Sequence, residues 1–262
     1  MEKDGIGKEY YEDGKLMFVG EYLKGERTGK EYYKNGELMF EGEYLNGKRW
    51  DGKGKEYYGD GKLKFKGEYI KGERKGKEYY KNGELMFEGE YLKGKKNGIG
   101  KEFYYNNKVK FEGSYLNGLK WSGKGYNNQG IKDFELRQGN GRGKQYNYHG
   151  IIEFEGEYSS GKRNGKGKEY CLGKLKFEGE YLTGEKNGKA KEYYDNGKLE
   201  FEGKYLNGER NGYSKEYHDN GRLKFDGKYK NGRKDYGKEY DSTGKLIHEG
   251  EYHYSSGGCF II

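Results

Sequence analysis

The sequence contains no proline and only two cysteines. Proline has no backbone N–H, so its absence suits a chain in which nearly every N–H is needed for hydrogen bonds between β-strands. Two cysteines, Cys171 and Cys259, are too few for a disulfide framework. Stability therefore has to come from packing and from backbone hydrogen bonds.

Long hydrophobic runs are also missing. No segment approaches the eighteen apolar residues that a membrane-spanning helix needs. The first residues, MEKDGIGKEYY, hold no apolar stretch of the kind found in secretory signals. The expectation is a cytoplasmic protein.

Charge of one sign is never concentrated. The net charge of +8 comes from 52 basic and 44 acidic residues that are interspersed, with no run of five or six like charges. A nucleic-acid groove usually concentrates its lysines and arginines, so no nucleic-acid partner is predicted. Charged residues reach 37%, which favours disorder, but aromatic residues reach 17%, which disordered chains do not carry. A folded chain with a mixed solvated surface is predicted.

One segment of seventeen residues occurs twice. Residues 29–45 and 76–92 both read GKEYYKNGELMFEGEYL, which indicates a repeat array whose copies occupy equivalent environments. The aromatic residue of an F-x-G motif marks eleven copies over residues 7–254, leaving 1–6 as a lead-in and 255–262 as a tail. The marker residues are Phe18, Phe40, Phe65, Phe87, Phe111, Phe134, Phe154, Phe177, Phe201, Phe225 and His248.

Each copy carries the pattern of a β-hairpin. Asn35-Gly36 is the dipeptide that tolerates positive φ at both centres of a type I′ turn, and Asn107 takes the glycine place in the fifth copy. After the turn, apolar residues occupy every second position, as in a strand with one buried face. In the second copy that face is predicted to hold Leu38, Phe40, Gly42 and Tyr44, with the glycine allowing a close approach.

A single copy is not expected to fold alone. Burying about four apolar side chains is worth roughly 1.5–3 kcal/mol each, whereas ordering about 23 residues costs on the order of 1–2 kcal/mol per residue. Stacking on neighbouring copies closes the gap, as in other repeat proteins. The predicted fold class is all-β, an elongated single array of about eleven tandem β-hairpin repeats.

The sixth copy, residues 123–142, is degenerate. Leu136 and Gln138 stand where glycine and tyrosine are expected. A bend, a joint between two halves, a partner contact and simple drift all remain open. The two tryptophans, Trp50 and Trp121, lie between repeats, where packing over a turn is favoured over an exposed binding role.

The recurring series F-x-G-x-Y-x-x-G-x-x-x-G-x-G-K-x-Y resembles the MORN repeat, and the segment YY-x-N-G-x-L resembles its variant form. FEGEYSSGKRNGKGKEY (residues 154–170) shows the series. The resemblance implies β-hairpin arrays that act as scaffolds, as rods that form homodimers through their ends, or as modules near membranes and the cytoskeleton. It implies no cofactor and carries over no lipid-contact residue.

The C-terminus, SSGGCFII, contains the one chemical motif. Cys259 is followed by Phe260, Ile261 and Ile262, which fits a C-a-a-X prenylation box on a flexible tail, with geranylgeranyl favoured by the final residue. The alternative is an accidental cysteine beside an apolar end. A single prenyl group anchors weakly, so lysines and arginines of the array would supply attraction to anionic lipid.

No catalytic constellation is present. The four histidines, His149, His218, His248 and His253, fall in different repeats without metal-ligand spacing, and Cys171 replaces a repeat tyrosine. The paired glutamates of F-E-G-E-Y recur in most copies, which favours a solvated sheet face paired with lysine. No enzyme activity, no metal and no cofactor are predicted.

The predicted function is a non-enzymatic scaffold for protein–protein interaction, held reversibly at the cytosolic face of a membrane through Cys259. One alternative is a module that binds carbohydrate or phospholipid, although aromatic hairpin arrays that bind carbohydrate or choline are usually secreted and rich in tryptophan. Another is an antitoxin-like or immunity-like partner protein. No feature of the sequence identifies the partner.

Overall fold

The computed structural model describes residues 4–255 and 258–260. Within these residues the chain forms twenty-five β-strands and no helix. The predicted all-β hairpin array is therefore confirmed. The chain divides into two compact units, Met1–Asp133 and Phe134–Ile262.

The first unit contains eleven strands and the start of a twelfth. Their bounds are β1 (Gly5–Tyr10), β2 (Leu16–Leu23), β3 (Glu26–Tyr32), β4 (Leu38–Leu45), β5 (Lys48–Tyr57), β6 (Leu63–Ile70), β7 (Glu73–Tyr79), β8 (Leu85–Leu92), β9 (Lys95–Phe103), β10 (Val109–Leu116), β11 (Leu119–Tyr126) and β12 (Lys132–Leu136), the last of which spans the boundary.

The second unit holds the remaining strands. Their bounds are β13 (Gly141–Tyr146), β14 (Ile152–Ser159), β15 (Lys162–Cys171), β16 (Lys174–Leu182), β17 (Glu185–Tyr193), β18 (Leu199–Leu206), β19 (Glu209–Arg210), β20 (Gly212–Tyr217), β21 (Leu223–Lys230), β22 (Arg233–Tyr240), β23 (Leu246–Glu251), β24 (His253–Ser255) and β25 (Gly258–Phe260).

Strands pair in the order in which the chain makes them. From β1 to β11, and again from β13 to β23, each strand lies antiparallel to the one before and the one after it, with one exception. The short β19 pairs only with β18, which also pairs with β20. β24 and β25 form a separate two-stranded pair. Since a strand contacts only its neighbours in sequence, each unit is built from local pairings.

A two-residue turn follows each L-x-F-x-G-x-Y strand from β2 to β21. At Lys24-Gly25 both residues have positive φ, 50° and 80°, and Leu23 pairs with Glu26 across the turn. This is the type I′ turn, whose twist matches that of antiparallel strands. The segments between repeats are therefore hairpins as well, and the sheet continues through them.

The turn at Asn35-Gly36 is of a different kind, and the predicted type I′ turn is wrong there. Only Gly36 has positive φ; its N–H donates to the Tyr33 carbonyl at 2.8 Å. Tyr33 N–H donates to Glu37 at 2.9 Å, which makes a three-residue loop on a type I turn. The Asn35 side-chain oxygen accepts from the Glu37 N–H at 3.0 Å, so the asparagine acts through its side chain and its backbone stays out of the left-handed region.

Asn107, by contrast, behaves as predicted. Its φ is 60° in the place of the turn glycine, and its N–H donates to the Tyr104 carbonyl at 3.0 Å. Asparagine is the residue that replaces glycine there with least strain.

The core lies on one side of each sheet. On this side, the aromatic face, the phenylalanine of each F-x-G is almost completely buried, and the following tyrosine packs edge-on against it, as Phe40 does with Tyr44 at 5.2 Å between ring centres. Residues that alternate with them, such as Glu41 and Glu43, point to the opposite side, the charged face. The predicted buried positions of Phe40 and Tyr44 are confirmed.

Glycines lie opposite one another beneath the phenylalanine rings. Gly20 pairs with Gly29, and Gly29 pairs with Gly42 on the next strand. A Cβ on Gly20 would lie 2.7 Å from both the Phe18 ring and the Gly29 Cα. The rings bury themselves against bare backbone, which confirms the close approach predicted for Gly42.

The sixth copy is where the chain divides. The boundary falls between Asp133 and Phe134, and a type I′ turn at Gln138-Gly139 follows Phe134 two residues earlier than in regular copies. Gln138 stands in that turn and not in a strand, which explains why no tyrosine is present there. The tandem hairpin repeats predicted from the sequence are arranged in two sheets, apart from the separate β24–β25 pair.

Trp50 packs as predicted. It lies within β5, and its ring would be 3.4 Å from a Cβ placed on Gly72 of the neighbouring turn. The Gly72 N–H also donates to the Trp50 carbonyl at 2.8 Å. The tryptophan covers a turn.

Candidate functional site

Ion pairs cover the rings of the aromatic face. Glu31 accepts hydrogen bonds from the Tyr44 hydroxyl and the Arg49 guanidinium, both at 2.8 Å. The same guanidinium lies over the Phe40 ring at 5.5 Å. Similar sets of glutamate, tyrosine and cation recur along both sheets, as at Glu56 with Tyr69 and Glu239 with Tyr252. The aromatic face is thus fully occupied by its own side chains, which suits a structural role.

Glu102 is the most strongly perturbed carboxylate of this face. Burial would raise its pKa, but Lys120 at 3.1 Å and Lys96 at 2.7 Å outweigh burial and hold the pKa well below its usual range. Glu102 therefore stays ionised throughout the neutral and mildly acidic range.

A pH-dependent stability contribution follows from Glu102. A carboxylate whose folded pKa is depressed stabilises the fold above its unfolded pKa, near 4.3, and loses this contribution as pH falls toward the folded value. Glu102→Gln is expected to lower the free energy of unfolding by about 2 kcal/mol at neutral pH, and by progressively less below about pH 4. Urea unfolding over a pH series measures this. Glu21→Gln, on an exposed side chain, is the control. A loss of stability from Glu102→Gln that stays the same at every pH would contradict the assignment.

The charged face of the second unit carries a regular row of opposite charges. One residue from each successive strand, each opposite the next, alternates in sign from β13 to β23. The row is Lys144, Glu155, Lys168, Glu178, Lys191, Glu202, Lys215, Asp226, Lys238 and Glu249. Opposite charges directly across a strand pair stabilise the sheet. A groove of about 930 Å³ follows this row from Arg142 to Asp226.

Tyrosines fix the glutamates of this row. The Tyr193 hydroxyl donates to Glu178 at 2.5 Å, and Tyr170 donates in the same way to Glu155 at 2.8 Å. Burial and the neighbouring carboxylate raise the pKa of Tyr193 to about 12. Each glutamate of this kind lies between lysines on the adjacent strands and below a tyrosine hydroxyl.

The charged face of the first unit departs from this pattern in β2, where the uncharged Val19 lies opposite Lys8 and Lys30, and again in β6. The predicted pairing of repeat glutamates with lysines is confirmed at Lys101 and Glu112, 3.3 Å apart. In β6, however, Lys66 stands where most other copies have glutamate, and it lies opposite Lys55 on one side and Lys77 on the other. A groove of about 500 Å³ contains all three lysines.

The predicted lipidation site is described only in part. The backbone of Cys259 lies in β25, opposite Tyr254. The Cys259 side chain and residues 256–257 and 261–262 lie outside the described residues, so the prenylation box and the flexible tail of 255–262 stay predictions.

The remaining candidate residues do not come together. His218 hydrogen-bonds the Tyr240 carbonyl at 2.9 Å, while His248 is buried in a phenylalanine place, 4.3 Å from the Tyr252 ring. Cys171 is exposed beside a type I′ turn at Leu172-Gly173. Among residues 4–255, no cluster of histidine, cysteine, aspartate or glutamate side chains is arranged so that it could hold a metal ion. The described part of the chain also holds no helix able to cross a membrane.

Comparison with known proteins gives one family. The sequence profile described as "MORN repeat variant" matches residues 3–24, 28–46, 50–71, 75–93, 96–117, 186–207 and 210–231, which is more than half of the chain. The gap between the fifth and sixth matches contains the degenerate copy. No curated protein matches the sequence.

Among solved structures, one chain titled "Crystal Structure of TcdB2-TccC3" is similar at 13% identity with a TM-score of 0.20. The match covers 97% of this chain and 14% of that chain, so the protein spans a small part of the length of that chain. A TM-score this low does not establish a shared fold.

Proposed function

The chain belongs to the MORN repeat variant family, and from that premise we propose that it is a non-enzymatic scaffold whose repeated sheet surfaces bind partner proteins. The observation that supports this most is the difference between the two faces of each sheet. The aromatic face is filled by its own rings and ion pairs, whereas the charged face leaves grooves of about 930 and 500 Å³ open.

The charged face suits binding because its side chains are held at fixed intervals. Neighbouring strands in a sheet are about 4.8 Å apart, so a row with one charged residue per strand places charged groups at regular intervals. Electrostatic complementarity of this kind selects partners and sets their register.

Capture experiments test the scaffold. The full chain, immobilised, is expected to retain partner proteins in stoichiometric amount. Lys191→Glu, in the groove of the second unit, is expected to reduce the retained amount of at least one of them severalfold. Lys230→Glu, which makes the same charge change on an exposed strand end outside the groove, is the matched control. Failure to retain any stoichiometric protein, or equal losses with both variants, would contradict the proposal.

Membrane tethering is the second part of the proposal. The Cys259 thiol would be prenylated, with geranylgeranyl favoured, and the lysines of the array would add weak attraction to anionic lipid. A single lipid chain gives marginal anchoring, so the protein would exchange between membrane and cytosol.

Cys259→Ser is expected to abolish the lipid adduct and to shift the protein from the membrane fraction to the soluble fraction in a eukaryotic host. Mass spectrometry of the intact chain and membrane fractionation measure the two effects. Cys171→Ser, at the other cysteine, is the control and is expected to change neither. An unmodified wild-type C-terminus would end this part of the proposal without affecting partner capture.

A further inference from the structure

We propose that the first unit binds a carboxylate of an acidic segment of a partner protein at the three lysines Lys55, Lys66 and Lys77. This inference rests on the proposed scaffold function and assigns one of its contacts. Three observations support it: an interrupted charge pattern, a tyrosine hydroxyl left without its acceptor, and the shape of the groove.

The first observation is the row of like charges. Lys66 in β6 lies directly opposite Lys55 in β5 and Lys77 in β7. Like charges directly opposite each other destabilise a strand pair. The corresponding row of the second unit avoids them by alternating in sign from Lys144 to Glu249. Lys77 has Glu88 on its other side at 3.7 Å, but Lys55 and Lys66 have no ion pair within the described residues.

The second observation is the Tyr79 hydroxyl. In the second unit, the equivalent Tyr193 donates to Glu178, which occupies the place of Lys66 and likewise lies opposite a lysine on the next strand. With Lys66 in that place, the Tyr79 hydroxyl has no hydrogen-bond partner among the described residues, although it lines the groove. Lys66 thus places an ammonium group where the regular copies have a carboxylate, beside Lys55, Lys77 and the Tyr79 hydroxyl.

The regular repeats therefore serve as an internal template for the missing group. At Glu178 a carboxylate lies between Lys168 and Lys191 and accepts the tyrosine hydroxyl. At Lys66 the same flanking lysines and tyrosine surround an ammonium group, so no carboxylate of this chain stands between them. A glutamate or aspartate side chain from a partner would supply it, with the lysine ammonium groups and the hydroxyl as donors.

The third observation is the shape and lining of the groove. Lys53 precedes Lys55, and Lys75 precedes Lys77, by two residues along their strands, so each pair is about 6.6 Å apart on one face. An extended peptide has the same two-residue spacing and can place acidic side chains opposite both members of a pair. Glu68 also faces this region, and Met39 adds an apolar contact. A concave groove suits a peptide better than a flat bilayer surface.

The test uses a fluorescein-labelled peptide of alternating glutamate and serine and the full-length chain, followed by fluorescence anisotropy at low salt. Lys66→Glu, which restores the residue found in the regular copies, is expected to weaken binding by about tenfold or more. Lys230→Glu makes the same change of net charge in the second unit, on an exposed side chain outside both grooves, and is expected to leave binding within about twofold of wild type. Tyr79→Phe is expected to weaken binding severalfold.

A gain-of-binding variant provides the converse test. Glu178→Lys places a third lysine between Lys168 and Lys191. Introduced into the Lys66→Glu chain, it is expected to recover peptide binding. Circular dichroism of each variant confirms the folded state.

Specific outcomes would overturn the inference. Equal losses from Lys66→Glu and Lys230→Glu would indicate attraction to net charge alone. Tighter Lys66-dependent binding to phosphatidylserine vesicles than to the peptide would assign the site to lipid. If Lys66→Glu leaves peptide binding unchanged while capture of partner proteins persists, this contact is wrong and the scaffold function stands.

Discussion

Phe65→Ala is expected to lower the free energy of unfolding of the first unit by about 3–5 kcal/mol. The Phe65 ring is completely buried, and it packs against Tyr69 at 6.2 Å and beneath the Arg74 guanidinium. Removing the ring leaves a cavity over the Gly67–Gly76 pair, and glycine has no side chain that could fill it. Because every strand depends on its two neighbours, the loss affects β5 and β7 as well as β6.

Urea unfolding followed by tryptophan fluorescence measures this effect, since Trp50 lies in the adjacent β5. Ile70→Ala on the same strand is the matched control: Ile70 is 48% exposed, and its truncation is expected to cost less than about 1 kcal/mol. Equal destabilisation by the two variants would show that the aromatic face is not the core.

Gly20→Ala is expected to destabilise the first unit by about 3 kcal/mol. The added methyl group would clash with the Thr28 carbonyl oxygen and would lie 2.7 Å from both the Gly29 Cα and the Phe18 ring. Two of these neighbours are backbone atoms of the paired strand and cannot rotate away. Relief would require β2 and β3 to move apart, which weakens their hydrogen bonds.

Gly14→Ala separates this steric effect from backbone strain. Gly14 has φ +81°, and no atom lies within 4 Å of the position that an added methyl group would take. Only the left-handed backbone conformation is therefore penalised, at about 1 kcal/mol. Thermal and urea unfolding of the two variants compare the costs. A smaller loss for Gly20→Ala than for Gly14→Ala would mean that the paired strands tolerate a side chain between them.

Much of the fold could be predicted because the residue pattern within each repeat determines its local structure. The two-residue period placed Phe40 and Tyr44 on the buried face, and the glycine between them marked the close strand approach. The turn type predicted at Asn35-Gly36 was wrong because the dipeptide Asn-Gly occurs both in type I′ turns and in three-residue loops. The distinction depends on whether the asparagine side chain caps its own loop.

The candidate site could not be predicted from the repeat pattern alone. The sequence shows that Lys66 replaces a glutamate, but not which residues lie opposite it. That depends on β5, where Gly52 pairs with Gly42 of β4 while Gly54 pairs with Gly67 of β6, a two-residue offset within one strand. The offset aligns Lys55 with Lys66. The division into two units was one of four alternatives left open for the sixth copy, because that copy keeps Phe134 and loses only its later positions.

The pairing of each strand with its sequence neighbours has a consequence for the length of the protein. The duplicated segment of residues 29–45 and 76–92 occupies corresponding parts of β3–β4 and β7–β8, with strand bounds offset by the same 47 positions. Excising or inserting one 47-residue period joins two DNA segments that encode the same residues. Every pair of neighbouring strands in the resulting sheet is then of a kind already present in the protein. The gene can therefore lengthen or shorten this protein in whole periods while each surviving hairpin keeps its partners.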